Sequence, residues 1–565
     1  MKSLFKFSLV IVVIMFVFSS CGKKNDEGKM IPANAMFVAQ INTKSMSDKV
    51  SWNDIKQTSW FKKVYSDSAT PEWRKKILDN PSASGIDFDK GLIFFSQKAS
   101  ADNYIFVVEG SLKSEKDFEE FNKNFDPSQT IKKQGDVNLL TLKDKNIVGW
   151  SGNRFAYVMN AKTTSSEMYD LNDSTNSPNI SSANNNDELA IICARLFSLK
   201  SDSSLEKNEK FGDLLTQKGD IHFWQNTEEI MKNNPSMGML GMAKLDAFLK
   251  DNISTYTISF DNGKIDVNQH AYVSRELTDV LKKYMTGKIN TDMIKDIPSQ
   301  NVIAVLSANF KPGGIVELIK LTGADGIINT YAQQLGFTLD DFSKAGNGDV
   351  LLAVSDLKMK PDSFNYKDDL GNPLGSGKFI KPDFNYIFSI GISDKASLQK
   401  IIDAGKKMSV QLGKDSLLHY DMNDKTFVIS SSETFSKQYL AGGNNKYDFT
   451  DKINGHPIGL FIDFQKIFSG LSQEPNNKMD SKALMEQNLK TWKNLFATAG
   501  DYKDGAFTGN AEINLVDQNT NSLKQLNIYF DEMFKIHEEK KARNANKNNL
   551  DSLLTPPPID TVNVK

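Results

Sequence analysis

Seven short segments of the chain recur in the same order in its two halves. The paired segments are 31–41 with 297–306, 84–97 with 335–356, 103–106 with 385–388, 107–125 with 389–408, 153–160 with 424–431, 219–231 with 456–468, and 254–273 with 496–516. Each pair is only weakly similar, but a shared order of seven pairs is hard to obtain by chance and is typical of a duplicated unit. We therefore expect two tandem homologous copies, residues 30–290 and 291–540, each long enough to bury its own core.

The recurring segments predict an α+β fold. Short apolar or alternating runs such as MFVAQI, LIFFS and YIFVVEG are typical of strands. Several are joined by short turns, among them Asp261-Asn262-Gly263-Lys264, whose Asn-Gly pair favours a hairpin. Helices separate other strands without the regular alternation of a doubly wound sheet. Each copy should therefore be a mostly antiparallel sheet flanked by helices.

Three polar segments interrupt this pattern. Residues 161–187 are rich in Ser, Thr, Asn and Asp, and predict a loop insertion in the first copy. Residues 358–383 carry several Gly and Lys residues between two apolar runs, and predict a flexible loop. Residues 541–565 turn Asn-rich and then Pro-rich, which predicts a flexible tail.

The N-terminus has the pattern of a secretory signal. Lys2 and Lys6 precede an apolar run at residues 9–18, which is shorter than the roughly 20 residues that a membrane-spanning helix needs. Ser19, Ser20 and Cys21 follow, and small residues directly before a Cys resemble the lipobox of bacterial lipoproteins. Phe18 stands where that motif usually has an aliphatic residue. An ordinary signal peptide that ends near a Cys is the alternative.

The lipobox resemblance implies a signal peptide at residues 1–20 and a lipidated Cys21. It implies a diacylglycerol thioether on Cys21, cleavage before it, and acylation of the new amine by a fatty acid such as palmitate. Two or three acyl chains form a durable anchor, since each buried CH₂ contributes about 0.8 kcal/mol. Residues 21–29 are polar after the Cys and predict a flexible tether.

The duplicated segments and the tether after the lipobox resemble a Bacteroidota lipoprotein family catalogued as domain-of-unknown-function family 4836. Its most specific piece in this chain is GDIHFW, residues 219–224. That resemblance implies a lipid-anchored protein of the cell envelope, at the outer membrane on its periplasmic or surface face. The family carries no established activity or site residues.

Composition and motifs give little support to catalysis. The net charge is −2, without the basic excess of a nucleic-acid-binding protein. The chain has two Cys residues, so a lipidated Cys21 leaves Cys193 unpaired in LAIICARLF, which we interpret as a buried strand. No His or Cys pair has metal-ligand spacing, and no GxSxG, SxxK or HExxH motif occurs, so no cofactor, metal or catalytic residue is predicted.

Aromatic and sulfur-rich segments offer weaker hypotheses. His222 lies in the apolar run of GDIHFW and is expected in a core or a cleft. Trp52 and Trp60 are eight residues apart, which would place them on one face of a single helix, either buried or gripping a sugar or peptide. The run 237–242 (MGMLGM) is interpreted as packing rather than as a binding groove.

We therefore expect a non-catalytic binding or scaffolding module on a lipid anchor, with the membrane and an envelope protein, peptide or glycan as partners. The alternative is an uncharacterised hydrolase with its site in the cleft between the two copies. Polar and titratable groups converging on one pocket would favour the hydrolase, and a flat or apolar cleft would favour binding.

Overall fold

The computed structural model describes residues 26–100, 103–142, 145–161, 186–232, 248–367, 373–411, 419–472 and 479–554. The signal peptide, Cys21, the greater part of the 161–187 insertion and the run 237–242 lie outside these residues, as do residues 555–565 of the tail.

Eighteen strands are found in the described part of the chain. They are β1 (Phe37–Ile41), β2 (Leu92–Ser100), β3 (Asn103–Ser111), β4 (Lys132–Gln134), β5 (Val137–Thr141), β6 (Ile147–Ser151), β7 (Arg154–Ala161), β8 (Ile221–Asn226), β9 (Ile253–Asp261), β10 (Lys264–Tyr272), β11 (Val302–Asn309), β12 (Gly346–Lys367), β13 (Pro373–Ile392), β14 (His419–Met422), β15 (Thr426–Ser430), β16 (Ile458–Asp463), β17 (Trp492–Lys503) and β18 (Ala506–Leu515).

Nineteen α-helices accompany them within the same ranges. They are α1 (Thr43–Lys49), α2 (Trp52–Lys56), α3 (Ser59–Ser66), α4 (Glu72–Asp79), α5 (Glu115–Lys123), α6 (Asn186–Leu196), α7 (Glu209–Thr216), α8 (Thr227–Lys232), α9 (Arg275–Tyr284), α10 (Thr291–Lys295), α11 (Pro312–Thr322), α12 (Asp325–Leu335), α13 (Leu339–Ala345), α14 (Lys395–Gln411), α15 (Glu433–Leu440), α16 (Thr450–Ile453), α17 (Phe464–Leu471), α18 (Met479–Thr491) and α19 (Ser522–Leu554).

All described strands belong to one sheet, and every pairing in it is antiparallel. The strand order is β4-β5-β6-β7-β3-β2-β1-β8-β9-β10-β18-β17-β16-β11-β12-β13-β15-β14. The predicted antiparallel sheet with flanking helices is thus confirmed, but it is continuous, since β10 pairs directly with β18 along their length.

The sheet has the same strand order on both sides of the β10–β18 pair. Read outward, one side runs β10-β9-β8-β1-β2-β3-β7-β6, and the other runs β18-β17-β16-β11-β12-β13-β15-β14. We call the two sides the first half and the second half. Segments paired in the sequence contribute strands to matching places in the two series.

Each half has its own hydrophobic core on the same face of the sheet, which we call the core face. In the first half, Val38 on β1 lies beside Trp224 on β8, and α6 packs over this face. In the second half, Val305 on β11 lies beside Phe461 on β16, in a core that includes Tyr439 of α15.

Cys193 lies in helix α6, so the predicted strand is wrong. Residues 189, 192, 193 and 196 are buried at the spacing of one helix face, a periodicity that the short apolar run concealed. Cys193 is free and buried, and burial raises the pKa of its thiol to about 12. A side chain on Gly149 of β6 would place its Cβ 2.5 Å from the Cys193 Sγ, so this glycine lets the helix approach the sheet.

The predicted loop at 358–383 is instead a long hairpin of β12 and β13. Its strands pair from Lys358 with Asp383 to Tyr366 with Gly375, and the rings of Phe364 and Phe379 lie across them 6.3 Å apart. Its polar composition, with several Gly and Lys residues, made this segment resemble a loop. Beyond Ser355 no other described strand pairs with the ribbon, so Pro361 and Pro382 are tolerated where the strand edge needs no hydrogen-bond donor.

Helix ends account for two other wrong predictions. Trp52 and Trp60 lie in separate helices, because Thr58 caps a new helix at α3 by accepting a hydrogen bond from the Phe61 N–H. The Phe61 ring nevertheless joins them, with its centroid 5.8 Å from Trp52 and 6.0 Å from Trp60. At the C-terminus, residues 541–554 continue helix α19 rather than beginning a flexible tail.

The predicted tether is also shorter than expected. Asp26–Gly28 forms a 3-10 turn whose Gly28 is buried. A Cβ on Gly28 would lie 2.7 Å from the carbonyl carbon of Leu205, and the Leu205 N–H donates to the Ile31 carbonyl. Residues 26–28 of the predicted tether are therefore part of the folded body.

The turn Asp261–Lys264 is the predicted hairpin turn, between β9 and β10. Gly263 has φ +67°, and its N–H donates to the Thr520 carbonyl, so a segment after β18 holds the turn. The matching turn between β17 and β18 has Gly505 at φ +83°. A Cβ on Gly263 would lie 2.5 Å from the Gln518 Cα, whereas nothing lies within 4 Å of one on Gly505.

Gly263→Ala should therefore destabilise the protein more than Gly505→Ala. Both substitutions strain a left-handed residue by roughly 1–2 kcal/mol, and a backbone clash adds about 1–3 kcal/mol at Gly263 alone. Urea unfolding of the two variants measures the difference. Equal losses would show that residues 515–521 do not clamp the turn.

Candidate functional site

The principal candidate site is a polar cavity of about 870 Å³ at one end of the first half's core face. We call it the first-half cleft. Its wall includes side chains of the N-terminal turn, of four strands and of the segment before β8, namely Glu27, Gln40, Ser111, Arg154, Gln217 and His222.

The register of the sheet assembles the floor of this cleft. His222 on β8 pairs with Gln40 on β1, Gln40 pairs with Ile93 on β2, and Ile93 pairs with Glu109 on β3. Side chains directly opposite each other on adjacent strands lie on the same face. The row thus extends the core face, with polar groups where the apolar core ends.

His222 is buried and held at both ring nitrogens. Its Nδ1 lies 2.6 Å from the Gln40 Oε1, and its Nε2 lies 2.9 Å from the Gln217 carbonyl oxygen. Because a carbonyl oxygen can only accept, the His222 Nε2 donates to Gln217. The expectation that His222 lies in a core or cleft is confirmed.

The other residues of GDIHFW build the surroundings of His222. A Cβ on Gly219 would lie 3.3 Å from the His222 Nε2. Asp220 accepts from the Ser45 hydroxyl at 2.6 Å and from the Phe260 N–H at 2.7 Å, and forms an ion pair with Lys49. Burial disfavours the Asp220 carboxylate, but these bonds outweigh it and lower its pKa. Trp224 packs edge-on against Phe211 in the core.

Glu109 and Arg154 form a buried ion pair beside the cleft, and Arg154 is the member of the pair that lines it. The Arg154 Nη2 lies 3.3 Å from the Glu109 Oε2, and the Glu109 side chain is fully buried. Burial raises the pKa of Glu109 to about 7, because desolvation outweighs the attraction of Arg154. Burial also raises the pKa of Glu27. The positive charge of Arg154 opposes this effect at both Glu27 and Glu109.

Two buried atoms of this pair have no hydrogen-bond partner in the described part of the chain, the Glu109 Oε1 and the Arg154 Nε. A buried polar atom without a partner is costly, and such atoms are commonly satisfied by water or by a bound group. The cluster can therefore hold a proton near neutral pH and can hydrogen-bond a polar ligand.

The described strands of the second half carry no equivalent of this cluster. The matching row across β16, β11, β12 and β13 reads Gly459, Ser307, Leu351 and Ser389. Small uncharged groups thus stand where the first half places His222, Gln40 and Glu109.

Sequence reasoning found His222 and missed Glu109, Arg154 and Gln40. A Glu within the apolar run YIFVVEGS was the available signal, since a charge on the buried face of a strand needs a partner. Among the remaining histidines, His456 pairs with Asp501 in the second half. No group of three or more His, Cys, Asp or Glu side chains in the described residues could hold a metal ion.

The chain belongs to a family defined by a domain of unknown function (DUF4836), whose model matches residues 28–366. No curated protein matches the sequence. One solved structure, crystal form III of TP0453, is similar at 8% identity over 46% of this chain and 88% of that chain, with a TM-score of 0.23. Within the described residues, no helix combines the length and apolarity needed to cross a membrane.

Glu109→Gln should change how stability depends on pH. An acid whose pKa is raised by folding favours the folded state when protonated, so its contribution is present below about pH 4.5 and is lost as the pH rises to about 7. The loss has an upper bound of about 3 kcal/mol. Wild-type stability should therefore fall between about pH 5 and about pH 8 by more than that of Glu109→Gln.

Urea unfolding midpoints at the two pH values measure this difference. Glu120→Gln, which removes an exposed carboxylate from α5, serves as the control and should keep the wild-type dependence. If all three proteins show the same dependence, Glu109 does not titrate in this range.

Proposed function

We propose that this protein is a cell-envelope lipoprotein, anchored through acyl chains on Cys21, whose folded body binds a partner without catalysing a reaction. The basic start, the short apolar run and the Ser19-Ser20-Cys21 sequence support the anchor. The membrane is one partner, and an envelope protein, peptide or glycan is the other. The outer membrane, on its periplasmic or surface face, is the proposed location.

We further propose that the folded body arose by duplication into two tandem modules. The support is the combination of seven collinear segment pairs with one strand order repeated on both sides of the β10–β18 pair. Only the first half carries the charged cluster of the first-half cleft, so the modules would have diverged in binding.

The observation that favours binding is the state of the cleft's reactive groups. Both ring nitrogens of His222 are engaged, and the Asp220 carboxylate that accepts from the Ser45 hydroxyl is a weak base, because its other hydrogen bonds lower its pKa. A general base must reach the proton that it removes, and a nucleophile needs an adjacent base. These fixed donors and acceptors suit recognition of a polar surface.

A hydrolase is the second candidate, and the observation that favours it is Glu109. A buried carboxyl group with a pKa near neutrality beside a cavity is typical of a general acid or base. Glu109 lies within the first half, whereas the hydrolase site expected from the sequence lay in the cleft between the two copies.

Removing the anchor tests the location. Cys21→Ala should move the protein from the membrane fraction to the soluble fraction and abolish its labelling by radioactive palmitate. Cys193→Ala provides the matched control, because it removes the other thiol, and should stay labelled and membrane-bound. A labelled or membrane-bound Cys21→Ala variant would contradict the anchor.

Crosslinking in whole cells tests the binding role. Lys90 and Lys218 are exposed at the first-half cleft, and replacing both by Ala should remove a crosslinked partner that the wild type captures. A variant with Ala at the exposed Lys62 and Lys76 should retain it. A captured partner that wild type releases in cleaved form, and that Glu109→Gln retains intact, would favour the hydrolase instead.

A further inference from the structure

The core face becomes polar where the two halves meet. Asn494 on β17 pairs with Asn514 on β18, and Asn514 pairs with Lys264 on β10. In the neighbouring row, Phe496 pairs with Glu512, which pairs with Asp266. These strands carry hydrogen-bonding and charged groups on the face that is apolar within each half.

A cavity of about 780 Å³ lies over this polar region. We call it the junction cleft and define it by Lys264, Lys446, Tyr447, Lys452, Lys493 and Phe496, all of which line it. Lys264 belongs to the first half and the others to the second. The cavity is open to solvent along its lysine-bearing side, since Lys446, Lys452 and Lys493 are all exposed.

An array of aromatic rings forms one wall of the junction cleft. Tyr447 stacks on Phe449 with 5.2 Å between ring centroids, Phe449 stacks on Phe461 at 4.2 Å, and Phe461 lies 5.4 Å from Phe496. The Tyr447 hydroxyl lies 2.9 Å from the Ile297 carbonyl oxygen and 2.8 Å from that of Ser299, and its one proton, shared between these two acceptors, holds the outer ring in place. Fixed rings of this kind offer flat apolar surface beside polar groups.

The cations of the junction cleft outnumber its acids. Five lysines and three acidic residues line it. Lys264 contacts Asp266 at 2.8 Å and Glu512 at 3.2 Å, and Lys466 contacts Asp463 at 3.8 Å. The remaining three lysines, at 446, 452 and 493, form no ion pair with any described carboxylate. They leave an excess of positive charge at the rim.

One hydrogen-bond acceptor in the junction cleft has no donor in the described part of the chain. The Asn494 Oδ1 is buried and has no hydrogen-bond partner within the described residues. Asn494 also lines the cavity. A ligand that supplies a hydroxyl donor there would remove the cost of that unmade bond.

We propose that the junction cleft binds a saccharide bearing phosphate or carboxylate groups. The lysines at 446, 452 and 493 pair with its negative charges, the Tyr447 and Phe496 rings contact the apolar face of a sugar ring, and a sugar hydroxyl donates to Asn494. A simple inorganic anion would use only the first of these contacts, and a neutral saccharide only the other two.

The inference extends the proposed binding function by naming a second site and its ligand class. Its test uses purified protein in solution, so it does not depend on the membrane anchor or on the partner of the first-half cleft. If the Cys21 experiment failed, saccharide binding in the junction cleft would be unaffected. If no saccharide bound, the proposed lipid anchor would be unaffected.

Calorimetric titration of the purified full chain in detergent tests the proposal. The probes are a galacturonic acid oligosaccharide, trehalose phosphate, the neutral maltotriose and inorganic pyrophosphate. At least one anionic saccharide should bind at least about tenfold more tightly than both maltotriose and pyrophosphate. The carboxylated and phosphorylated probes show which anionic group is preferred.

Replacing Lys446, Lys452 and Lys493 by Gln should weaken that binding by at least about tenfold. Replacing the exposed Lys62, Lys76 and Lys113 by Gln removes the same charge elsewhere and should leave it unchanged. In wild-type protein, the bound saccharide should also protect the three cleft lysines from acetylation and leave the three control lysines reactive.

Three results would overturn the proposal. One is equal weakening by both lysine sets, which would indicate only long-range charge. Another is pyrophosphate binding as tightly as the anionic saccharides, which would leave the rings without a role. The third is the absence of both measurable binding and lysine protection with either anionic saccharide.

Discussion

The antiparallel pairing of β10 with β18 is the constraint on which the rest of the structure depends. It joins two separate hydrophobic cores through backbone hydrogen bonds along eight registered residue pairs, from Lys264 with Asn514 to Ala271 with Phe507. Without it each half would expose a strand edge, which is a ready site for unwanted association. With it, the core faces of both halves point the same way, and their polar margins meet in the middle of the sheet.

This arrangement explains why the two clefts differ. The first-half cleft lies at the end of one core, where Glu109 and Arg154 replace apolar side chains. The attraction between their charges there opposes the cost of burying them. The junction cleft lies between the two cores, where the lysines at 446, 452 and 493 are exposed and form no ion pair with a described carboxylate. The charge state of a buried ion pair depends on its surroundings, whereas exposed lysines are charged with or without a bound ligand.

The sequence predicted the antiparallel sheet, the hairpin turn at Gly263 and the place of His222, because these depend on local patterns. It could not show that β10 and β18 pair, because no local pattern in either strand identifies the distant strand with which it pairs. The pairing of Glu109 with Arg154 was hidden for the same reason, as the two residues are 45 positions apart and are joined by the register of β3 with β7. Helix α6 was missed because the short apolar run around Cys193 resembles a strand, and the β12–β13 hairpin was missed because its polar, Gly-containing segment resembles a loop.

The early start of the folded body has a consequence for orientation. Only residues 22–25 separate Cys21 from the packed turn at Asp26–Gly28, and the five steps from Cys21 to Asp26 span at most about 18 Å. A lipid on Cys21 would therefore keep the folded body close to the surface of the bilayer. Glu27 lines the first-half cleft itself, so that cleft would lie at the attachment point and would meet its partner within reach of the lipid headgroups.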